Sequence, residues 1–179
     1  MKQAYNCILI LLFTLITCSV NGAATFDYSR NVLVIQPTRQ DTVGTYVYNR
    51  TTEPFKIPYY ELLPSIPPIN EVNSAILSNL ALTYNADIVV VPVVVYWNQW
   101  YSHPGSFGSE YGSPSVETAY QFRIYVYNQT VKSFSHYDVY YHEKEEASSL
   151  NDPLPLMREG MNALMEKLPY KRIPSVSKK

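Results

Sequence analysis

Few residues in this chain have the type and spacing that chemistry requires. His136, Asp138 and His142 stand two and four positions apart, so on a strand all three side chains leave the same face. They are the nearest approach to a metal set. At a rise of about 3.3 Å per residue, however, positions 136 and 142 lie about 20 Å apart, too far to share one ion. His103 is the only other histidine. The chain contains no Gly-x-Ser-x-Gly elbow, Ser-x-x-Lys pair, phosphate-binding glycine loop, dinucleotide fingerprint or His-Glu-x-x-His. Its acidic residues form no pair whose surroundings would separate an acid from a base. These absences predict a protein without catalysis, metal or cofactor, acting by binding.

Recognition chemistry is better represented. Trp97-Asn98-Gln99-Trp100-Tyr101-Ser102-His103, continuing to Phe107 and Tyr111, sets aromatic rings beside amides. Trp97, Trp100, Tyr101 and Tyr111 offer large contact area with few rotamers to freeze, suited to sugar rings or to a protein hot spot. The competing expectation is that they fold back as anchors for the Gly-rich stretch 98–115, which reads as a loop. A second set comes from two strands near 117–128 and 133–145. A turn over Gln129–Lys132 pairs Asn128 with Ser133, Phe122 with Val139 and Arg123 with Asp138. That register sends Tyr120, Phe122, Ile124, Val126, Tyr137, Val139 and Tyr141 to one face, the core. It gathers Arg123, Tyr125, Tyr127, His136, Asp138, Tyr140 and His142 on the other, a candidate contact surface.

The elements that must position these residues begin after an N-terminal segment of a different kind. Lys2, the apolar run Ile8–Ile16 and the small residues to Ala24 read as a secretory signal peptide over 1–24. The run is too short to span a bilayer, which takes about 20 apolar residues. Both cysteines, Cys7 and Cys18, fall inside it, so cleavage near residues 22–24 leaves a chain without thiols. The alternative is a lipobox at Leu15-Ile16-Thr17-Cys18, where Thr17 replaces the usual Gly, Ala or Ser. Asn49-Arg50-Thr51 and Asn128-Gln129-Thr130 satisfy the glycosylation sequon, which has no meaning in a bacterial source.

The 179 residues carry a net charge of -1 with 46% hydrophobic and 16% charged residues, which excludes disorder and gives no basic excess for nucleic acid. Residues 25–170 read as one α/β domain with a tail at 171–179. Asn31–Ile35 is a buried strand, Thr45–Tyr48 a short strand, and the prolines from Pro54 to Pro68 stiffen an ordered excursion. The spacing of Ile69, Val72, Ile76, Leu77, Leu80 and Tyr84 predicts a helix over 70–84, capped by Asn70 and stopped at Asn85. Asp87–Trp97 is the strongest strand signal, and Pro92 within it requires a sheet edge or a bulge. Asp152-Pro153 opens a last helix whose stripe runs Leu154, Met157, Met161, Leu164, Met165, Leu168.

This order of elements, with the phrases Asn85-Ala86-Asp87-Ile88-Val89-Val90-Val91-Pro92, Tyr125-Val126-Tyr127-Asn128-Gln129-Thr130 and Leu168-Pro169, resembles small exported envelope proteins with a TolB N-terminal-like or LpoB-like domain. The resemblance spans roughly residues 30–170. It implies a secreted or lipid-anchored protein of the Gram-negative envelope that assembles or regulates other machinery, and it supplies no catalytic residues. The expected architecture is a two-layer α/β sandwich, a mixed sheet with two main helices on one face. The expected function is a non-catalytic periplasmic or envelope interaction module whose partner is another envelope protein or a cell-wall component. The alternatives are a carbohydrate-binding module using residues 97–111 and a hydrolase with an unrecognised site.

Overall fold

The structure is a computed structural model that describes residues 30–102, 114–147 and 152–170. The signal segment, the loop with His103, Phe107 and Tyr111, and the tail after Tyr170 lie outside the described residues. The elements run β1 (Arg30–Val34), α1 (Thr42–Thr52), β2 (Tyr60–Leu62), α2 (Ser74–Thr83), β3 (Ile88–Ser102), β4 (Ser115–Asn128), β5 (Ser133–Glu146) and α3 (Pro153–Lys167). They build one open five-stranded sheet in the order β2-β1-β3-β4-β5. β2, β1 and β3 are parallel, whereas β3, β4 and β5 form an antiparallel meander, so the sheet is mixed.

Thr45–Tyr48 is helix, not strand. Asp41 caps α1 by accepting a hydrogen bond from the Gly44 N–H at 3.0 Å, and Val43, Val47 and Thr51 recur every four residues as its buried stripe. A β-carbon on Gly44 would stand 1.8 Å from the Arg39 carbonyl oxygen, so the close approach of the preceding loop demands glycine. α2 starts later than the periodicity suggests, because Asn73, not Asn70, accepts the first free N–H, that of Ile76, at 2.9 Å. Asn85 adopts φ 51° just past its end, the expected left-handed stop. α3 begins as expected, with Asp152 accepting from Leu154 N–H at 3.0 Å and Pro153 in its first turn.

The α/β class and the mixed sheet are as the sequence leads one to expect, but the helices number three and cover both faces. α1 and α3 pack on one face over Val32, Val34, Ile88, Val90, Phe122 and Ile124. α2 packs on the opposite face over Leu33, Ile35, Val89, Val91 and Tyr127. The arrangement of two helices on a single face therefore gives way to three layers at the centre. The cause is the run Ile88–Val91, whose side chains alternate between faces and are all buried, so both faces need cover.

Pro92 meets its constraint by position. The Val90 carbonyl accepts from the Ile35 N–H at 2.9 Å, and pairing with β1 ends at Val34 opposite Val90. By alternation the nitrogen of Pro92 points toward that same side, where β1 has ended and no ladder bond is lost. Three residues further on, the register with β4 shifts between Val94 and Tyr96, leaving Val95 as a bulge.

Candidate functional site

The β4–β5 hairpin pairs as the sequence reading predicts, with Asn128 opposite Ser133, Phe122 opposite Val139 and Arg123 opposite Asp138. Phe122, Ile124 and Val126 face α1 and α3 and are buried. The opposite side of the hairpin holds the candidate surface. Only its inner end lies under α2: Tyr127 is 4% exposed and Tyr125 packs partly against the α2 cluster. Tyr127 is therefore a core residue, withdrawn from the contact surface by a helix expected on the other face. Outward from Tyr125, no helix among the described residues covers this face, and Tyr140 is 77% exposed.

An ordered polar frame crosses the open face. The Arg123 guanidinium grips Asp138 with two bonds, Nε to Oδ1 at 2.5 Å and Nη2 to Oδ2 at 3.2 Å, and its Nη1 donates to the Tyr125 hydroxyl at 3.0 Å. His136 stands 3.5 Å from the second oxygen of Asp138, and the Tyr125 ring stacks on Phe134 with centroids 5.9 Å apart. The bonds from Arg123 hold the Asp138 carboxyl below the usual carboxylate range, and the same partnership raises the guanidinium. Further out, His142 Nε2 meets Glu117 Oε1 at 2.6 Å. Both histidines are thus committed to different carboxylates, and no group of three metal-ligating side chains occurs among the described residues.

β3 contributes aromatic rings through its bulge. Residues 98–102, expected in a loop, continue the strand in register with Ser115–Ala119 of β4. Because Val95 adds one residue, Tyr96 sits opposite Gln121 and Trp100 opposite Glu117, both on the open face. Trp97 sits opposite Tyr120 on the core face, stacked at 5.5 Å on Tyr120 and 6.0 Å on Phe122. Tyr101, opposite Val116, shares that core-facing side but lies beyond the helices and is exposed. The structure thus brings together Arg123, Tyr125, His136 and Tyr140, puts Trp100 on the same face but about 20 Å further along the strands, separates Trp97, Tyr101 and Tyr127 from them, and leaves Tyr111 outside the described residues. Sequence reasoning missed Tyr96, whose side is set by the bulge. It also missed a groove of about 600 Å³ between the C-terminal ends of α1 and α3. There Arg50 bonds to Glu53 and to Asn162, and Lys56 and Tyr170 form part of the walls.

No family model matches the chain, and no curated protein matches it. Several solved structures resemble it in outline. The dodecameric PelC of Paraburkholderia phytofirmans shares 10% identity over 77% of this chain and 86% of its own, with a TM-score of 0.42. Lipoprotein GNA1162 of Neisseria meningitidis shares 15% identity over 76% and 96%, with a TM-score of 0.42. A putative neuraminyllactose-binding hemagglutinin homolog of Helicobacter pylori shares 8% identity over 77% and 82%, with a TM-score of 0.43.

Proposed function

We propose that this chain is an exported, non-catalytic protein of the cell envelope that binds another envelope component through the open face of its sheet. The observation that carries the reading is the outer face itself, where Tyr96 and Tyr140 stand exposed beside the Arg123–Asp138 frame and Trp100 stands exposed further along the same face, opposite Glu117, with no helix among the described residues over them. Exposed aromatics beside an arginine are the composition of protein-binding hot spots, and a frame already bonded to itself loses little entropy on binding. The apolar N-terminal run supports export, and no helix among the described residues is long and apolar enough to cross a membrane.

A photoreactive residue placed at Trp100 tests the reading in the native envelope. It should capture a partner that the same residue at Leu82, exposed on the outside of α2, does not. Equal capture at the two positions, or none at Trp100, removes the open face as the binding surface. Titration of tryptophan fluorescence with cell-wall oligosaccharides distinguishes the carbohydrate reading, which predicts saturable quenching that Trp100→Ala abolishes. Intact-mass measurement tests export: loss of the first 22–24 residues is expected, and a retained Met1 or a lipid adduct on Cys18 contradicts simple cleavage.

A further inference from the structure

We infer that β5 is a self-pairing edge, through which two copies of this chain join antiparallel about a two-fold axis into one continuous sheet. This concerns the rim of the sheet and stands apart from the reading of its face. Among the described residues β5 is the outermost strand over fourteen residues, Ser133–Glu146, with β4 on one side only. Lys167 of α3 donates to the Asp138 carbonyl at 2.6 Å, which shows that the backbone groups of residue 138 point away from β4. In an antiparallel strand both groups of one residue point the same way and alternate along the chain, so residues 136, 140, 142 and 144 also present theirs outward. Such a row is a template for another strand.

Charge selects both the occupant and the register. With Tyr141 placed against its own copy on the axis, Asp138 faces Lys144, His136 faces Glu146 and Tyr140 faces His142 across the two copies. Each of these pairs occurs twice, and no like charges meet. Sliding one strand so that residue 138, 142 or 143 lies on the axis sets Asp138 against Asp138, Asp138 against Glu146, or Glu143 against Glu143; centring on 139 brings no opposite charges together, and centring on 140 sets His136 against Lys144. Like every register with a residue on the axis, the one centred on Tyr141 pairs even-numbered residues with even-numbered ones, so the outward N–H and C=O groups of the two strands meet as hydrogen-bonded pairs. Lys167 is the group that must swing aside, since the Asp138 carbonyl then accepts from the partner's backbone.

Sedimentation of the purified full chain across a concentration series is the test. A concentration-dependent dimer is expected. Tyr140→Pro removes an outward N–H without touching the β4 ladder and should abolish it while circular dichroism stays native. Lys144→Glu turns two cross-strand attractions into repulsions on an exposed end and should weaken the dimer about tenfold. In a chain with Cys7→Ser and Cys18→Ser, Tyr141→Cys should oxidise to a covalent dimer faster than Val139→Cys. A chain that stays monomeric at every concentration overturns the inference, as does a dimer that survives both Tyr140→Pro and Lys144→Glu. Photocapture at Trp100 on β3 reads the open face and not this rim, so either idea can fail alone.

Discussion

The inner half of the sheet and its outer half solve the burial problem in different ways. At the centre, β1 and the first residues of β3 are sandwiched between helices, and Ile88–Val91 are buried on both sides of the sheet. In the outer half, β4 alternates, with Val116, Thr118, Tyr120, Phe122, Ile124 and Val126 buried and their neighbours only partly so until Tyr127, at its inner end under α2, is buried as well. One strand continues from the first regime into the second: β3 is Val-rich and doubly covered up to Val91, then turns amphipathic and aromatic after its bulge. The comparison teaches that this sheet is a rigid core with a one-sided extension, and that the extension supplies the free surface. Burial fixes the inner half, whereas polar bonds such as Arg123–Asp138 order the uncovered side of the outer half.

Substitutions on the two sides of β4 sharpen that contrast most. Phe122 is 0% exposed and packs against both Trp97 and Tyr120, so Phe122→Ala should cost roughly 3–5 kcal/mol in denaturant unfolding. A loss below about 1 kcal/mol would mean that the outer half is not packed on α3 as described. Gly160 of α3 lies against that aromatic row, and a β-carbon there would stand 2.6 Å from the Tyr120 hydroxyl. Gly160→Ala should therefore destabilise by about 1–3 kcal/mol despite its better helix propensity, and Tyr120→Phe in the same chain should recover part of the loss. If Gly160→Ala raises the melting temperature, α3 does not sit against Tyr120.

At the inner half, Asp41→Ala removes the α1 cap and should cost about 1 kcal/mol. The bond from the Gly44 N–H lowers the Asp41 pKa, so its contribution is present above the unfolded value of about 3.9 and is lost as pH falls through the lower folded value. The stability difference between parent and Asp41→Ala should accordingly shrink in acid. The smallest effect belongs to the open face: Arg123→Ala should cost only about 0.2–1 kcal/mol, because the pair it breaks is partly solvated. Asp138 is likewise held low by Arg123, so this difference also fades below the ordinary carboxylate range. An Arg123 substitution more costly than Phe122→Ala would show that the hairpin faces are reversed.

Legibility in the sequence followed the same division. Strict alternation in β4 and β5, with a turn of fixed length, was enough to set their register residue by residue, because a slip by one would expose every apolar side chain. The inner half was harder. A continuous apolar run such as Ile88–Val91 does not say which helix covers which side, so the pattern suggests both helices on one face and Tyr127 among the free residues, whereas α2 takes the opposite face and buries Tyr127. Thr45-Tyr46-Val47-Tyr48 has strand-forming side chains, and the Asp41 cap with tertiary burial of Val43 and Val47 overrides them. Residues 98–102 share a Gly- and Pro-rich stretch with 104–114 and so read as loop, yet they continue β3 because β4 offers them a partner.

Val95 gives the aromatic arm a parity. Every ring beyond it owes its side of the sheet to an odd or even count from the core, and one supernumerary residue inverts that count. Were Val95 taken into the ladder, Trp97 would turn out to water and Tyr96 and Trp100 toward the helices, whereas a chain lacking Val95 would lose the bulge and keep each ring on its present side. The molecule's outward identity is thus written in an arithmetic of residue number, and the one residue left out of the count at Val95 decides which rings meet water.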